Sequence, residues 1–412
     1  MSQKTRSLLI PQYMNQFSCI GSACEDSCCA GWQVNIDQKT YKKYKKSHDL
    51  ELKPLFHNKL ARTRANSSTE AYAKIKMDQS GCCSFLSEDR LCKIQLNLGE
   101  EFLSNTCAIY PRHINEINGV VEKSITLSCP EAARQVLLNQ DGIEFIETTE
   151  PMGSRTFIGK RLDTRHSPLT TAYHSYFWDL RIFTIQLLQN RVYSVDERLM
   201  ILGMFYNKVQ QYIEQHKTEE IPAVIDSFTR LIEDGSLIPS LKEIPALADI
   251  QMKLCKELVD HRYSQGINNQ RYKECLTEML VGLGFTNDAS MKDVAGKYEH
   301  AYISYYKPFM DEHNYILENY LVNHVFKNLF PLGQATVYDD YVMLIVHYAM
   351  IKLHLIGMSG YHKGMTTDYI IKLIQSFAKT VEHNTAYLNN IFTLLRENDL
   401  TTMAYMAVLI KN

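Results

Sequence analysis

The sequence predicts a mainly α protein: an irregular cysteine-rich metal-binding N-terminal domain with short strands, followed by a helical domain. Three observations carry this expectation. Nine of the eleven cysteines in the 412-residue chain lie between Cys19 and Cys129. After Pro130, apolar residues recur at helical spacing in one segment after another. That later part offers no convincing strand series and no internal repeat. The expected boundaries are 1–135 for the cysteine-rich domain, 136–170 for a connecting segment and 171–412 for the helical domain, with subdivision points near 240 or 330.

The nine thiols fall in three groups. Cys19, Cys24, Cys28 and Cys29 come first, bracketed by Gly21 and Gly31, which let the backbone approach a bulky centre. Cys24 and Cys28 would share one side of a helical turn, with Cys29 turned about 100° away. A basic stretch follows, with 11 Lys or Arg against 5 Asp or Glu from Gln33 to Asp78. Its run Lys39–Lys46 reads as a solvated helix, and Asn66–Thr69 as the loop beyond it. Cys82, Cys83 and Cys92 form the second group, on two short elements joined by the polar turn Ser87–Arg90. Their alternation with hydrophobes predicts thiols buried on one face. Cys107 and Cys129 form the third group, in Thr106-Cys107-Ala-Ile-Tyr110-Pro-Arg112 and Ser128-Cys129-Pro-Glu.

Soft thiolates at this density suit zinc or an iron–sulfur cluster. Structural zinc favours paired knuckles; Cys24-x₃-Cys28 could form one, but the thiols do not repeat that pairing regularly. Eight of the nine thiols would serve two zinc sites or two [4Fe–4S] clusters, so spacing leaves the metals open. The interval Cys-x₃-Cys-x₂-Cys of enzymes that cleave S-adenosylmethionine at an open iron is missing, because Gly31 stands at its third position. A disulfide framework belongs to oxidising compartments. The apolar stretch Leu8–Pro11 is too short for a signal segment, so a reduced, cytoplasmic setting is expected. No apolar run approaches about 18 residues, and no membrane insertion is expected. A formal charge of −2 excludes the overall basicity of a nucleic-acid binder.

In the later part, Pro151–Arg155 and Asp163–Pro168 read as connections. Helices are expected over 171–190, 195–215, 220–234, 245–261, 267–282, 292–308, 311–328, 336–357, 367–394 and 398–410. No phosphate-binding glycine loop and no His-Glu-x-x-His occurs. On the helix over 311–328, Tyr320 and His324 share a face, as do Asn319 and Asn323. These polar groups could line an inner pocket.

The order of motifs resembles the zinc- or iron-chelating cysteine-rich domain family, and the longer chain resembles the bacterial flagellin lysine-N-methylases. The resemblance rests on Cys19-x₄-Cys24-x₃-Cys28-Cys29, Gly81-Cys82-Cys83-x-Phe-Leu, Leu91-Cys92-x-Ile-Gln, Thr106-Cys107-x-x-Tyr-Pro-Arg and Ser128-Cys129-Pro-Glu. More diffuse parallels are Phe177-Trp-Asp-Leu-Arg181, Arg198-Leu-x-x-Leu-Gly203 and Glu318-Asn-Tyr-Leu-x-Asn323. It implies a cytoplasmic enzyme that moves methyl groups from S-adenosylmethionine to lysines of flagellin, with one or two [4Fe–4S] clusters, or zinc instead. The nine cysteines form the expected ligand pool. Tyr110 and Arg112, beside Cys107, are the expected cofactor-binding pair, and Tyr320 and His324 the expected catalytic residues for proton handling. A metal-chelating module or a protein-binding adaptor without catalysis is the alternative.

Overall fold

The computed structural model describes residues 5–64, 68–152, 155, 157–165, 169–264, 266–286 and 289–412. Asn66 and Ser67 of the expected loop lie outside them, as do parts of the two expected connections (Gly153, Ser154 and residues 166–168).

Among the described residues eight strands occupy the N-terminal region: β1 (Thr5–Pro11), β2 (Asn35–Ile36), β3 (Leu60–Arg62), β4 (Ala73–Ile75), β5 (Arg112–Ile117), β6 (Val120–Ile125), β7 (Phe145–Pro151) and β8 (Lys160–Leu162). Five form one sheet in the order β7-β1-β6-β5-β8. At its centre β1 runs parallel to β6, with Leu8 opposite Val121. The hairpin of β5 and β6 closes through Asn118-Gly119, both at positive φ (52° and 89°). An Asn-Gly pair suits such a turn because it tolerates two successive left-handed residues. The interval 136–170, expected as a connection, thus contributes β7 and β8. A small antiparallel sheet, β2-β4-β3, lies over a separate core of Val34, Ile36, Tyr44, Phe56, Phe85 and Ile94. Within it Tyr44 stacks on Phe56 at 4.3 Å. The basic run forms the helix Gln38–Lys45, which buries Thr40 and Tyr44 and is capped by Asp37.

From Phe177 onward the chain is helical. Several expected helices are interrupted by short departures from α geometry. The segment 292–308 divides into Met291–Ala301, a π turn over Tyr302–Tyr306 and Lys307–His313. The segment 367–394 divides at a second π turn, Ala378–Glu382. At the centre stands Val337–His362, whose residues from Tyr341 to Ser359 are all buried. With 26 residues it is long and apolar enough to cross a membrane, which corrects the expectation that no such run exists. Its most apolar window is wholly covered by protein, as a helix that is hydrophobic on all sides requires.

The helical core also takes in Tyr13, Ile125, Leu127 and Val136 from the strand-containing region. That continuity seats one edge of the N-terminal region on the helical body, beside the cysteines.

Candidate functional site

Six of the nine clustered thiols, Cys19, Cys28, Cys29, Cys83, Cys92 and Cys107, line a cavity of about 270 Å³. Trp32, Tyr44, Phe85, Tyr110 and Arg112 complete much of its wall. The local chain explains the convergence. An isolated bridge pairs Ala30 with Cys82, and the Cys83 N–H donates to the Cys29 carbonyl at 2.7 Å, so the first and second thiol groups meet. A bridge between Leu86 and Cys92 turns the next thiol back toward them. Ser104 caps the helix Asn105–Ile109 and delivers Cys107.

Cys24 and Cys28 do not share a helical turn, which corrects that expectation. Only Gly21–Ala23 is helical there, and Cys24 is extended. Cys28 and Cys29, expected to diverge, are joined by a thiol–thiol contact, and Cys29 makes another with Cys83. Cys24, Cys129 and Cys19 are electrostatic neighbours in a second group. Cys82 sits apart, its N–H held by Asp78.

Burial pushes Cys107 up to about 12 and also raises Cys92 and Cys129; nearby thiols add to each shift. Cys28 is raised first by its bond to Cys29, then by burial. Thiols crowded in apolar surroundings resist ionisation because a second anion would be unscreened; a cation among them reverses that balance. The donors are of the soft type that thiophilic metals prefer. Among the described residues, no three His, Cys, Asp or Glu side chains form a ready ion-binding group. All ten described cysteines are free thiols.

Tyr110 and Arg112 both reach the cavity. The Tyr110 ring lies 5.6 Å from Trp32, and its hydroxyl is 3.2 Å from Ser128 Oγ. Burial holds that phenol well above the ordinary tyrosine range, so it stays protonated. The Arg112 guanidinium lies over Phe17.

Tyr320 and His324 sit elsewhere, in the interior of the helical body. Tyr320 donates to Glu382 at 2.8 Å, and Lys327 donates to the other oxygen of that carboxylate at 3.0 Å. Burial alone would raise Glu382, but Lys327 and the nearby His347 and His324 hold it well below the usual carboxylate range. The His324 ring faces His347 at 5.1 Å. Burial lowers these two imidazoles to about 3 and about 4. Both ring nitrogens of His347 and Nδ1 of His324 are buried without a hydrogen-bond partner.

The other polar residues of that helix are struts. Glu318 takes Arg198 at 2.8 Å and Arg191 at 2.9 Å. Asn319 donates to the Asn139 carbonyl, and Asn323 accepts the Tyr13 hydroxyl at 2.6 Å. Arg181 pairs with Glu122 on β6 and lies against Phe177, Trp178 and Phe326. A Cβ at Gly203 would collide with Tyr341, so the two helices touch only because that side chain is missing.

Sequence reasoning did not single out the clamp between the two regions. Lys379, on the second π turn, donates to Asp26 at 2.8 Å and to the Ser27 carbonyl at 3.0 Å. Gln375 donates to Asp26 and to the Ser128 carbonyl. These partners are separated by about 250 to 350 residues, so no local spacing reports them.

Residues 181–409 match the family described as the FliB lysine N-methylase C-terminal domain. A lysine-N-methylase of Salmonella typhimurium is 26% identical over 391 residues, covering 92% of this chain and 93% of that protein. A lysine-N-methylase of Salmonella choleraesuis matches to the same extent. The flagellar biosynthetic protein FliU of Salmonella muenchen is 37% identical over 134 residues, 32% of this chain and 78% of that protein. No solved structure matches the chain.

Proposed function

Because the chain belongs to the FliB lysine N-methylase family, we propose that it transfers methyl groups from S-adenosylmethionine to lysine side chains of flagellin in the cytoplasm. The observation that carries this reading is the alignment with the two lysine-N-methylases. It runs through 391 residues and so spans both the thiol-rich region and the helical body. The likeness to FliU supports a place in the flagellar system.

The cavity beside Tyr110 and Arg112 is the proposed reaction site. Lysine is an ammonium at neutral pH and must become a free amine before its lone pair can attack a sulfonium methyl. A partly apolar cavity lowers the cost of that loss by disfavouring the charged form. Amine, methyl and sulfur must also lie in line, so much of the acceleration comes from holding two substrates in one orientation. Trp32, Tyr44 and Phe85 offer apolar walls for this, and Arg112 a charge at the rim. The nine clustered cysteines are the proposed ligand pool for one or two [4Fe–4S] clusters, with the cavity thiols as the primary set. A bound cluster would supply electrostatic organisation, and redox capacity if the reaction draws on it. Tyr320 and His324 are retained as proton-handling candidates, acting through the buried Glu382 and Lys327.

Exposure of Cys19 and Cys28 favours one other reading, a chelating module that hands metal to a partner. A single preparation separates the two. Protein purified without oxygen is assayed for iron, sulfide and zinc, then incubated with S-adenosylmethionine and flagellin, and the flagellin is weighed by mass spectrometry. Lysine increments of one to three methyl groups are expected. Metal retention with unmodified flagellin would favour the chelating module, and stoichiometric zinc without iron would remove the cluster.

A further inference from the structure

We infer that Ser128, Thr126 and His383 form a proton exit that leads from Tyr110, in the wall of the thiol-lined cavity, to solvent. The inference rests on the methylase reading and adds to it the route by which the substrate ammonium is discharged. Four side chains make the path. The Tyr110 hydroxyl lies 3.2 Å from Ser128 Oγ, which lies 3.2 Å from Thr126 Oγ1, which lies 3.2 Å from Nε2 of His383. Ser128 and Thr126 are buried at 2% and 9% exposure, whereas His383 is exposed at the far end. The path therefore begins in a cavity, crosses the interior and ends at water.

Its chemistry suits transfer. Each hydroxyl both donates and accepts, so a proton arriving at one end releases another at the other end without any intermediate ion persisting. The three separations are long for hydroxyl contacts, as unliganded catalytic chains often are before substrate tightens them. His383 is the only member that can hold a proton as a cation. Lys327, Glu382 and Lys379 face it, as does His113 from β5. Burial of its ring, although the residue as a whole is exposed, and then the Lys327 ammonium lower it to about 4. It is thus neutral at physiological pH, and because its surroundings disfavour the imidazolium, a proton that reaches it is passed on to water rather than held. Glu382 lies off this path, bonded instead to Tyr320 and Lys327. The π turn Ala378–Glu382 sets His383 just beyond its end, and such turns often mark functional positions.

In the step itself an N–H bond of the lysine ammonium breaks and its proton passes to the Tyr110 oxygen. The hydroxyl protons of Tyr110, Ser128 and Thr126 each move one place, and the last reaches Nε2 of His383. The imidazolium then gives a proton to water. The amine lone pair so released forms the N–CH₃ bond, and the broken S–CH₃ pair stays on sulfur. Ser128, Thr126 and His383 are positioning residues for this reaction.

The test is single-turnover methylation of flagellin against pH for the wild type, Thr126→Val and His383→Gln. Glutamine keeps a hydrogen bond to Thr126 but cannot take up the proton. At about pH 7 both variants should be slower by about tenfold to a hundredfold, the usual span for a lost proton transfer. The gap should close toward about pH 11, where lysine, with an ordinary pKa of about 10.4, is largely free base. Flagellin affinity and thermal midpoints should not change, and added imidazole should restore His383→Ala. Superimposed profiles, or a loss equal at every pH, would overturn the exit while leaving methylation intact. A wild type that binds both substrates yet methylates at no pH would instead remove the methylase reading, and the exit with it.

Discussion

The helical body and the thiol-lined region treat buried charge in opposite ways. In the body several buried ions are paired within the fold: Glu318 with Arg198 and Arg191, Glu122 with Arg181, Lys352 with Asp196. In the thiol-lined region the ionisable groups are gathered with one another, and crowding drives their protonation equilibria upward. The body thus pairs its buried ions internally, while the cavity collects neutral thiols. Stability and chemistry should then separate by region.

The largest test of that separation is Glu318→Ala. Removing one carboxylate strands Arg198 in the interior, and loss of a buried partner costs about 3–5 kcal/mol. Denaturant unfolding should show that drop, and a change below about 1 kcal/mol would mean the pair is not a strut. Acid should act on the same body. The unfolded chain takes up histidine protons near pH 6.5, while folded His347 and His324 wait until about 4 and about 3. Their contribution is complete above pH 6.5 and is lost as pH falls, by on the order of a few kcal/mol. His347→Phe should flatten the pH dependence between 6.5 and 4, and an unchanged slope in thermal melts would assign it elsewhere.

Gly203→Ala should cost about 1–3 kcal/mol by overpacking against Tyr341. Tyr341→Phe in the same chain should recover part of the loss, and strict additivity would show that the contact is not shared. Smallest in stability is Cys92→Ser, expected to alter unfolding of the helical body by less than about 0.5 kcal/mol. Its effect should appear as lost iron and sulfide. An equal metal content, or a collapsed body, would break the contrast between the regions.

How much of this was legible follows from the range of each interaction. The helical domain announced itself because its apolar period is written every three or four residues. The two π turns did not, since an extra residue in one turn leaves that period nearly unchanged. Strand β7 reads Phe-Ile-Glu-Thr-Thr-Glu-Pro and is largely exposed along its middle, so it lacks the alternation that marks a half-buried strand. The β5–β6 hairpin did carry a signal, Asn118-Gly119, which went unused. Crowded cysteines signalled that the thiols gather, and nearness to Cys107 pointed to Tyr110 and Arg112, which line the same cavity. Lys379, Glu382 and His383 reach the N-terminal region or Lys327 only through tertiary contact, so nothing beside them in the sequence marks them.

The apolar helix Val337–His362 has a consequence for how the protein is made. As it leaves the ribosome, its neighbours on the N-terminal side are already available, but Thr367–Phe377 and the C-terminal helices are still to come. For that interval a segment with the hydropathy of a bilayer span is only partly covered. Lys352, near its middle, opposes misdirection to a membrane by about 3 kcal/mol, the cost of a lysine at the centre of an inserting helix. The same ammonium later finds Asp196 and the Ile410 carbonyl. Lys352→Leu should therefore enlarge the membrane-associated fraction of newly made protein, and an unchanged fraction would assign Lys352 to the finished fold alone. One side chain thus guards the chain's destination before it braces the fold.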